Sequence, residues 1–340
     1  MLTLKTELKY AEKTKNFLLK NKLMDFNFLP KKEEKWIYFP ITQKVKLIGT
    51  SIVYLKLPEK EKVLTVEEIL KTNLTPEEIK RIPHSQEIVG NILILEIPQE
   101  LNKKERLIAR AFLKTHQNIK TVVKKDKAHG GEFRLRKVKI LAGEKTKETI
   151  HLENKVKLKI DLEKTYFSAR LGNERLRIAH LIKHPEEVLV MFSGAAPYPL
   201  VIAKNSLAKE IYGIEINPLA HQLALENLKL NKLEDKIHIL EGNVRLILPQ
   251  IKKKFDRIIM PLPKTGELFL PLALTKVKIG TIIHFYTFIN EEEIKKETKK
   301  IKEISKQSGY LIRSLRVVQC GQFSPLISRF CFDLKIIDKK

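Results

Sequence analysis

The sequence predicts an α/β protein whose C-terminal part is a doubly wound, largely parallel sheet, and three observations support this fold class. Residues 188–192 are a short apolar run closed by the small residues 193–196, which is typical of a buried parallel strand ending in a tight turn. A helix is expected at about 197–209, and a second apolar strand at 211–216. Further strand-like runs follow, the last two as an expected antiparallel pair: 236–240, 255–260, 280–287, 308–318 and 328–337.

The spacing of Gly194 and Glu215 indicates a nucleotide cofactor. The second strand ends in Glu215, 21 residues after Gly194. In a βαβ unit this separation puts a carboxylate beside the ribose of a nucleotide that crosses the small-residue turn. No G-x-G-x-x-G is present, so the helix start lacks a pyrophosphate cradle. S-adenosylmethionine, which has no pyrophosphate, therefore fits better; the alternative is an ordinary βαβ unit with a small-residue turn.

Length and charge limit the function classes. The 340 residues are enough for two or three domains with their own cores. Lys and Arg outnumber Asp and Glu by 65 to 40, a net charge of +25, which favours a polyanionic partner, most simply nucleic acid, over a membrane surface. No apolar stretch is long enough to span a membrane and the start resembles no signal peptide, so a cytoplasmic protein is predicted.

The cysteine count argues against a cysteine-rich zinc site and against a disulfide framework. Cys320 and Cys331 are the only two cysteines, too few for a cysteine-rich zinc site. They are expected to be buried thiols, with a pairing in a hyperthermophile as the alternative. No metal is predicted.

The N-terminal half is expected to hold two smaller modules. Residues 1–48 predict one helix on a few strands, with a hairpin-like stretch at 35–49 and a lysine-rich surface. From residue 88 onward, alternating strands and one amphipathic helix predict an α+β module. Its expected elements are strands at 88–97, 120–125, 133–142, 149–153 and 156–162, a strand end at 166–168, and helices at 102–116 and 174–182.

Four stretches together resemble the archaeal and eukaryotic class I tRNA (guanine-37 N1)-methyltransferases and their relatives in the wyosine pathway. They are FRLRKVKILAGE (133–144), YFSARLGNERLRIA (166–179), the core 188–245 and IIMPLPKTGELFLPLAL (258–274). The resemblance implies a small N-terminal tRNA-contacting domain with its connector (1–60), an α+β middle domain (61–175) and a seven-stranded Rossmann-like class I methyltransferase domain (176–340). It also implies S-adenosylmethionine as methyl donor, and as partner a tRNA held at its outer corner and at anticodon-loop position 37. A monomer is expected.

The resemblance assigns the catalytic residues. Arg134 falls on the arginine that holds the guanine, Glu174 on the general base and Arg170 on an arginine that braces the site. The residue types suit the chemistry, because guanine N1 carries a proton at neutral pH that a carboxylate must take as the methyl arrives. Negative charge then gathers on the purine oxygen, where a guanidinium is a natural stabiliser. Without the resemblance, Arg134 would be a surface arginine and Glu174 a first-turn helix acid.

The predicted cofactor site combines the loops after the parallel strands with the stretch at 166–167. Glu215 is expected on the ribose hydroxyls, and Asn243 where the family usually has an aspartate facing the adenine amino group. Ser193, Gly194 and Ala195 are expected along the methionine moiety. The remaining predicted cofactor residues are Tyr166, Phe167, Phe192, Ile216, Asn217, Val244, Pro261, Leu262 and Pro263.

Two departures from the family pattern bear on specificity. Val190 replaces the acid of Asp-x-Phe-x-Gly, and Ala196 stands where a glycine is common. The Asn-x-Pro after the fourth strand reads Pro261-Leu262-Pro263, which removes an amide from the pocket. A wider, less polar pocket resembles that of the archaeal subgroup whose members also methylate C7 of imidazo-guanine (4-demethylwyosine), so a bifunctional enzyme is predicted; the alternative is a tolerated variation in an ordinary N1-methyltransferase.

Two other functions compete with this interpretation. An aminocarboxypropyl transferase of the wyosine pathway shares the fold and the cofactor, and the altered Asp-x-Phe-x-Gly loop keeps it open. A non-catalytic basic RNA-binding protein on the same fold is the third candidate, against which the retained Arg134, Glu174 and Glu215 argue.

Overall fold

The computed structural model describes residues 1–60, 64–83, 85–130, 133 and 135–339. The chain divides into two compact units, Met1–Ile69 and Leu70–Lys340. The three-domain division made from the sequence stays a prediction.

The first unit is built on an antiparallel sheet with the order β2-β3-β1-β4. Leu4, Leu18, Phe39 and Ile41 form its buried core. The predicted hairpin at 35–49 is wrong, because only Trp36–Pro40 of this stretch forms a strand, and that strand pairs with β1 and β2. The elements are β1 (Leu2–Glu7), α1 (Ala11–Lys20), β2 (Lys31–Lys32), β3 (Trp36–Pro40) and β4 (Thr50–Tyr54), followed by α2 (Val66–Leu70), which crosses the unit boundary.

The second unit begins with a four-stranded sheet of order β5-β6-β7-β8. Its strands β6 and β7 are parallel, and the helix α4 connects them. The elements are α3 (Pro76–Lys80), β5 (Glu87–Val89), β6 (Ile92–Leu95), α4 (Glu105–Thr115), β7 (Thr121–Gly130) and β8 (Leu135–Gly143), then the antiparallel hairpin β9 (Glu148–Glu153) and β10 (Val156–Asp161). The strand end predicted at 166–168 is wrong: these residues are an irregular loop after a turn.

The rest of the chain contains the seven-stranded sheet that the sequence predicted, and its strand order is β13-β12-β11-β14-β15-β17-β16. The first five of these strands are parallel, and β17 runs antiparallel to both β15 and β16. The elements are α5 (Gly172–His180), β11 (Glu187–Met191), α6 (Pro197–Asn205), β12 (Glu210–Glu215), α7 (Pro218–Asn231), β13 (Ile237–Glu241), α8 (Val244–Gln250), β14 (Phe255–Met260), α9 (Leu270–Leu274), β15 (Val277–Ile289), α10 (Ile294–Gln307), β16 (Tyr310–Gln322) and β17 (Ser328–Lys339).

The strand order reverses at β11, whose neighbours are β12 and β14. In doubly wound sheets, ligands bind outside the carboxyl ends of the strands at such a reversal. The carboxyl ends of β11, β12 and β14 carry the predicted turn at 193–196, Glu215 and Pro261. The fold therefore brings these separate stretches to one edge.

Two asparagines on α7 bind the backbone of β10. Asn227 accepts from the Lys159 N–H (2.6 Å) and donates to the Lys159 carbonyl (3.1 Å), and Asn231 does the same with Lys157 (2.8 and 2.7 Å). The spacings match, because four residues of helix rise about 6.0 Å and two residues of strand about 6.6 Å. Asn227 also donates to the carbonyl of Ala195 (3.1 Å), which connects β10 to the turn after β11.

Candidate active site

The turn after β11 has an unusual backbone. Phe192, Gly194 and Ala196 have φ values of 62°, 57° and 65°, the left-handed region that side chains normally disfavour. The Ser193 N–H donates to the carbonyl of Ile214 (2.9 Å), which joins the turn to the end of β12. The glycine that the family commonly has at position 196 would relieve a strain that Ala196 retains.

Glu215 organises this turn from the neighbouring strand. One carboxylate oxygen accepts the Gly194 N–H (2.6 Å) and the other accepts the Asn217 N–H (2.9 Å). Burial raises the pKa of the Glu215 carboxyl, while its backbone hydrogen bonds act in the opposite direction. Each oxygen keeps a further lone pair, so Glu215 can accept hydroxyl groups in addition to these two N–H groups.

A cavity of about 470 Å³ lies over the turn. Of the predicted cofactor residues, all except Ala195 line it; Ala195 is buried below the surface. Two hydroxyl oxygens in the wall, of Ser193 and Thr165, are buried and have no hydrogen-bond partner among the described residues. Buried polar atoms without a partner favour a ligand with donors and acceptors of its own. The cavity therefore fits a polar nucleoside such as S-adenosylmethionine.

The adenine end of the predicted site is apolar with one polar corner. Asn243 caps α8 by accepting the Arg245 N–H (2.9 Å). Phe269, which the sequence analysis missed, contacts Phe192 edge-on at 5.0 Å between ring centroids, and the Arg245 guanidinium lies 4.5 Å from its centroid. In a sequence, an aromatic residue in the stretch after a parallel strand is only a weak signal of a cofactor contact, because such residues are more often part of the core.

The Pro261–Pro263 stretch follows β14 on the opposite wall. Pro261 and Pro263 have no backbone donor, and the Leu262 N–H is used by the Met260 carbonyl (2.8 Å). This segment therefore offers a ligand carbonyls and apolar surface but no N–H group.

Glu174 lies behind a tyrosine rather than on the cavity wall. It is buried, and its carboxylate accepts two hydrogen bonds from Arg177 (2.7 and 2.8 Å). The Tyr286 hydroxyl donates to the same carboxylate (2.6 Å), and the Tyr198 hydroxyl donates to Tyr286 (3.0 Å). Both tyrosines line the cavity, so Tyr286 is the link between the cavity and Glu174. The sequence analysis missed both tyrosines, although Tyr286 lies near the carboxyl end of a predicted strand.

A buried chain of charged groups continues from Glu174 towards the surface. Arg177 also binds Asp333 (2.7 Å), Asp333 accepts from His284 Nδ1 (2.6 Å), and His284 Nε2 accepts from Arg257 (2.7 Å), which pairs with Glu186. The guanidinium of Arg257 always donates, so His284 is the neutral tautomer with its proton on Nδ1. Burial and Arg257 lower the pKa of His284, whereas His284 and Arg177 hold the pKa of Asp333 well below its usual range.

The same series of charged groups contains a cluster of side chains that resembles a metal site. Ligand atoms of His284, Cys331 and Asp333 lie within 4.8 Å of one another. However, both ring nitrogens of His284 are engaged, and Arg177 binds both carboxylate oxygens of Asp333. Two adjacent guanidinium groups also repel a cation. Cys320 and Cys331 are free thiols, and burial raises their pKa values, that of Cys320 to about 12.

The two predicted arginines have different outcomes. Arg134 lies outside the described residues. Arg170 does not line the cofactor cavity but an adjoining one. A third arginine, Arg175, fixes the wall between the cavities: it pairs with both oxygens of Glu153 (2.6 and 2.5 Å) and donates to the Ser168 carbonyl (3.1 Å).

Comparison with known proteins decides the family. The chain matches the TRM5/TYW2 methyltransferase domain over residues 149–313, the TYW2 N-terminal domain over 66–146 and the tRNA methyltransferase 5 N-terminal domain over 3–47. It is 33% identical to the Pyrococcus abyssi tRNA (guanine(37)-N(1))-methyltransferase Trm5b over 98% of this chain and 99% of that protein. The chain belongs to the TRM5/TYW2 family. It is therefore an S-adenosylmethionine-dependent tRNA-modifying enzyme, as the sequence analysis predicted.

Other relatives show the range of chemistry within the TRM5/TYW2 family. The chain is 34% identical to the Nanoarchaeum equitans tRNA (guanine(37)-N(1))/4-demethylwyosine(37)-methyltransferase Taw22, over 66% of this chain and 90% of that protein. It is 32% identical to a Pyrococcus horikoshii tRNA(Phe) (4-demethylwyosine(37)-C(7)) aminocarboxypropyltransferase, over 80% and 96%.

Solved structures agree with these relatives. The crystal structure of P. abyssi Trm5b superposes with a TM-score of 0.75, at 32% identity over 99% of this chain and all of that one. A complex of aTrm5 with tRNALeu superposes with a TM-score of 0.70, at 31% identity over 99% and 100%. Within the described residues, no helix has the length and apolarity needed to cross a membrane.

Proposed function

We propose that this enzyme transfers the methyl group of S-adenosylmethionine to N1 of guanosine at position 37 of tRNA. The whole-length similarity to Trm5b carries the proposal, because it includes the N-terminal unit as well as the catalytic one. The cavity over the turn at 193–196 supports it, since it offers a nucleoside polar partners at Ser193, Thr165 and Glu215. S-adenosylmethionine supplies an electrophilic methyl group. The residues of this protein hold the cofactor and receive the proton that guanine N1 loses.

The proton from guanine N1 goes to Glu174 by way of Tyr286. In this scheme the Tyr286 hydroxyl, which donates to Glu174 at 2.6 Å, passes its proton to the carboxylate as it accepts the one from N1. S-adenosylmethionine would supply the methyl group that becomes bonded to N1 in place of this proton, and Glu174 ends protonated. Arg134 remains the proposed stabiliser of the purine oxygen.

We expect Glu174→Gln to lower kcat on guanosine-37 tRNA by roughly 100-fold or more, because an amide cannot take the proton. The Kd for S-adenosylmethionine, measured by calorimetry, should be nearly unchanged. Tyr286→Phe should also lower kcat by roughly 100-fold and alter the pH–rate profile, since Glu174 can then no longer receive the proton from N1. Glu186→Gln is the control, because it alters the far end of the same charged chain; an equal loss of kcat there would mean that Glu174 is only structural.

A second activity, C7 methylation of 4-demethylwyosine at position 37, is part of the proposal. The Pro261–Pro263 wall without donors suits a larger, less polar base as well as guanine. The relative Taw22, whose name carries both activities, supports it.

The aminocarboxypropyl transferase remains the second candidate, favoured by Val190 in place of the acid that precedes the cofactor turn and by the relatives of that name. Product mass distinguishes the candidates when the protein is given S-adenosylmethionine and tRNAs carrying guanosine or the tricyclic base at position 37. A methyl group adds about 14 Da and an aminocarboxypropyl group about 101 Da. We expect both tRNAs to be methylated. Methylation of the guanosine-37 tRNA alone would contradict the proposed C7 methylation. The heavier adduct would show that the group transferred is aminocarboxypropyl and not methyl.

The remaining assignments extend the same proposal. The lysine-rich N-terminal unit is proposed to hold the outer corner of the tRNA, and the protein to act as a cytoplasmic monomer without a metal. The division into 1–60, 61–175 and 176–340 is proposed as the functional domain division.

A further inference from the structure

A second cavity adjoins the cofactor cavity. It has a volume of about 850 Å³ and shares part of its wall with the first cavity: Tyr166, Phe167, Ser168, Leu171, Lys264 and Arg329. Ligand cavities in proteins commonly measure 300–1,000 Å³. The second cavity is therefore large enough for a nucleotide, and a chain occupying it can continue directly into the first.

Its most distinctive feature is a pair of aromatic rings. Phe288, near the end of β15, and Phe323, just after β16, lie 4.5 Å apart between ring centroids at an interplanar angle of 35°. The Arg329 guanidinium lies 5.0 Å from the Phe288 centroid and the Lys264 ammonium 5.7 Å from that of Phe323. Phe323 is 57% exposed. Exposed aromatic rings flanked by cations are how proteins stack and hold unpaired bases.

The charges in the cavity favour an anion. Five cationic side chains line it against three carboxylates, a difference of +2: Lys125, Arg136, Arg170, Lys264 and Arg329 against Glu87, Glu96 and Asp126. Glu87 is paired with Arg136 (3.0 Å) and Glu96 with Lys125 (2.5 Å). The other three cations, Arg170, Lys264 and Arg329, therefore face one further carboxylate, that of Asp126.

Arg329 has a donor to spare. Its Nη2 donates to the Tyr166 hydroxyl (3.2 Å), but its Nε is buried and has no partner among the described residues. An unpaired guanidinium donor beside a stacking ring is suited to a phosphate or sugar oxygen.

We propose that the second cavity binds the nucleotide next to the methylated base, with its base on Phe323 and its phosphate against Arg329 and Lys264. The proposal rests on the proposed function. A base that enters the cofactor cavity must leave its stack, and its neighbour then loses a stacking partner. Phe323 replaces that partner and lowers the cost of extruding the target base.

The test compares two protein variants with two kinds of RNA. Phe323→Ala removes the ring, and Leu326→Ala is the matched control, because Leu326 is exposed on the same turn and does not line the cavity. The RNAs are anticodon stem-loops with guanosine at position 37, either intact or with an abasic nucleotide on one side or the other of it. Their Kd values are measured by fluorescence anisotropy with full-length protein, and methylation is followed separately.

We expect Phe323→Ala to weaken binding of the intact RNA about tenfold, and Leu326→Ala to leave it unchanged. One of the two abasic RNAs should bind wild-type protein about tenfold more weakly, yet lose nothing further with Phe323→Ala. The proposal would be overturned if Phe323→Ala and the abasic nucleotide weakened binding independently, so that their effects on Kd multiplied. It would also be overturned if neither abasic RNA bound wild-type protein more weakly than the intact RNA. Binding tests it even if no RNA is methylated, an outcome that would refute only the proposed function.

Discussion

The two ends of the cofactor cavity are built in opposite ways. The end at the turn after β11 is made of backbone groups held by one carboxylate, Glu215, which lies 21 residues from Gly194 and 2 residues from Asn217 in the sequence. The end at Tyr286 depends on side chains from α5, β15 and β17, with Arg177 and Asp333 156 residues apart. The first end is built from residues close together in sequence and has a strained backbone. The second end is built from residues far apart in sequence, whose buried charges are paired with one another. Substitutions should therefore affect mainly ligand binding at the first end, and folding as well as turnover at the second.

The largest effect should come from Asp333→Asn at the distant end. Removing one partner of a buried ionic network leaves the Arg177 and His284 groups poorly compensated, so a loss of about 3–5 kcal/mol in the free energy of unfolding is expected. Urea denaturation measures it, with Asp338→Asn on the exposed end of β17 as control. The pKa of Asp333 is lowered on folding, so its contribution is complete above about pH 4 and is lost at lower pH. A difference between wild type and variant that persists at low pH would contradict this origin.

Glu215→Gln should affect binding rather than folding. An amide cannot both keep the Gly194 and Asn217 N–H groups and accept the ribose hydroxyls, so we expect the Kd for S-adenosylmethionine to rise about 100-fold, with unfolding affected less than by Asp333→Asn. Glu241→Gln, at the end of the adjacent strand, is the control. Because burial raises the pKa of Glu215, the wild-type Kd should also rise on acidification at a pH above the usual range for a glutamate. Unchanged affinity in the variant would mean that the ribose is held elsewhere.

The smallest effect should come from the strained turn itself. Ala196→Gly relieves a left-handed side chain, worth about 1–2 kcal/mol, at a loss of about 0.8 kcal/mol of buried methyl surface. Stability should thus be unchanged or slightly higher. Ala195→Gly, at the neighbouring position where φ is not positive, should lower it by about 1 kcal/mol. Thermal unfolding of the Ala196→Gly and Ala195→Gly variants measures the two effects. An equal loss of stability in both variants would show that the strain at Ala196 does not contribute to the free energy of unfolding.

The same contrast explains what could be predicted from the sequence. The strands, the turn at 193–196 and Glu215 follow from apolar periodicity and spacing, which are local. The Tyr198–Tyr286 contact and the Arg177–Asp333 pair could not be found that way, because each joins elements far apart in sequence, α6 with β15 and α5 with β17. The hairpin predicted at 35–49 failed for a similar reason: Trp36–Pro40 pairs with β1 at the start of the chain, and not with the residues that follow it. The irregular loop at 166–168 depends on Arg175, a contact that no pattern in the sequence indicates.

The two asparagines of α7 have a consequence for the behaviour of the protein in concentrated solution. A hairpin of two strands has an edge that invites pairing with strands of other molecules. On β10, the side-chain amides of Asn227 and Asn231 supply the donors and acceptors that a third strand would offer to Lys157 and Lys159. The helix α7 thus covers this edge from within the molecule. The backbone N–H and carbonyl groups of Lys157 and Lys159 are already bonded to it, so they are not free to pair with a strand of another molecule.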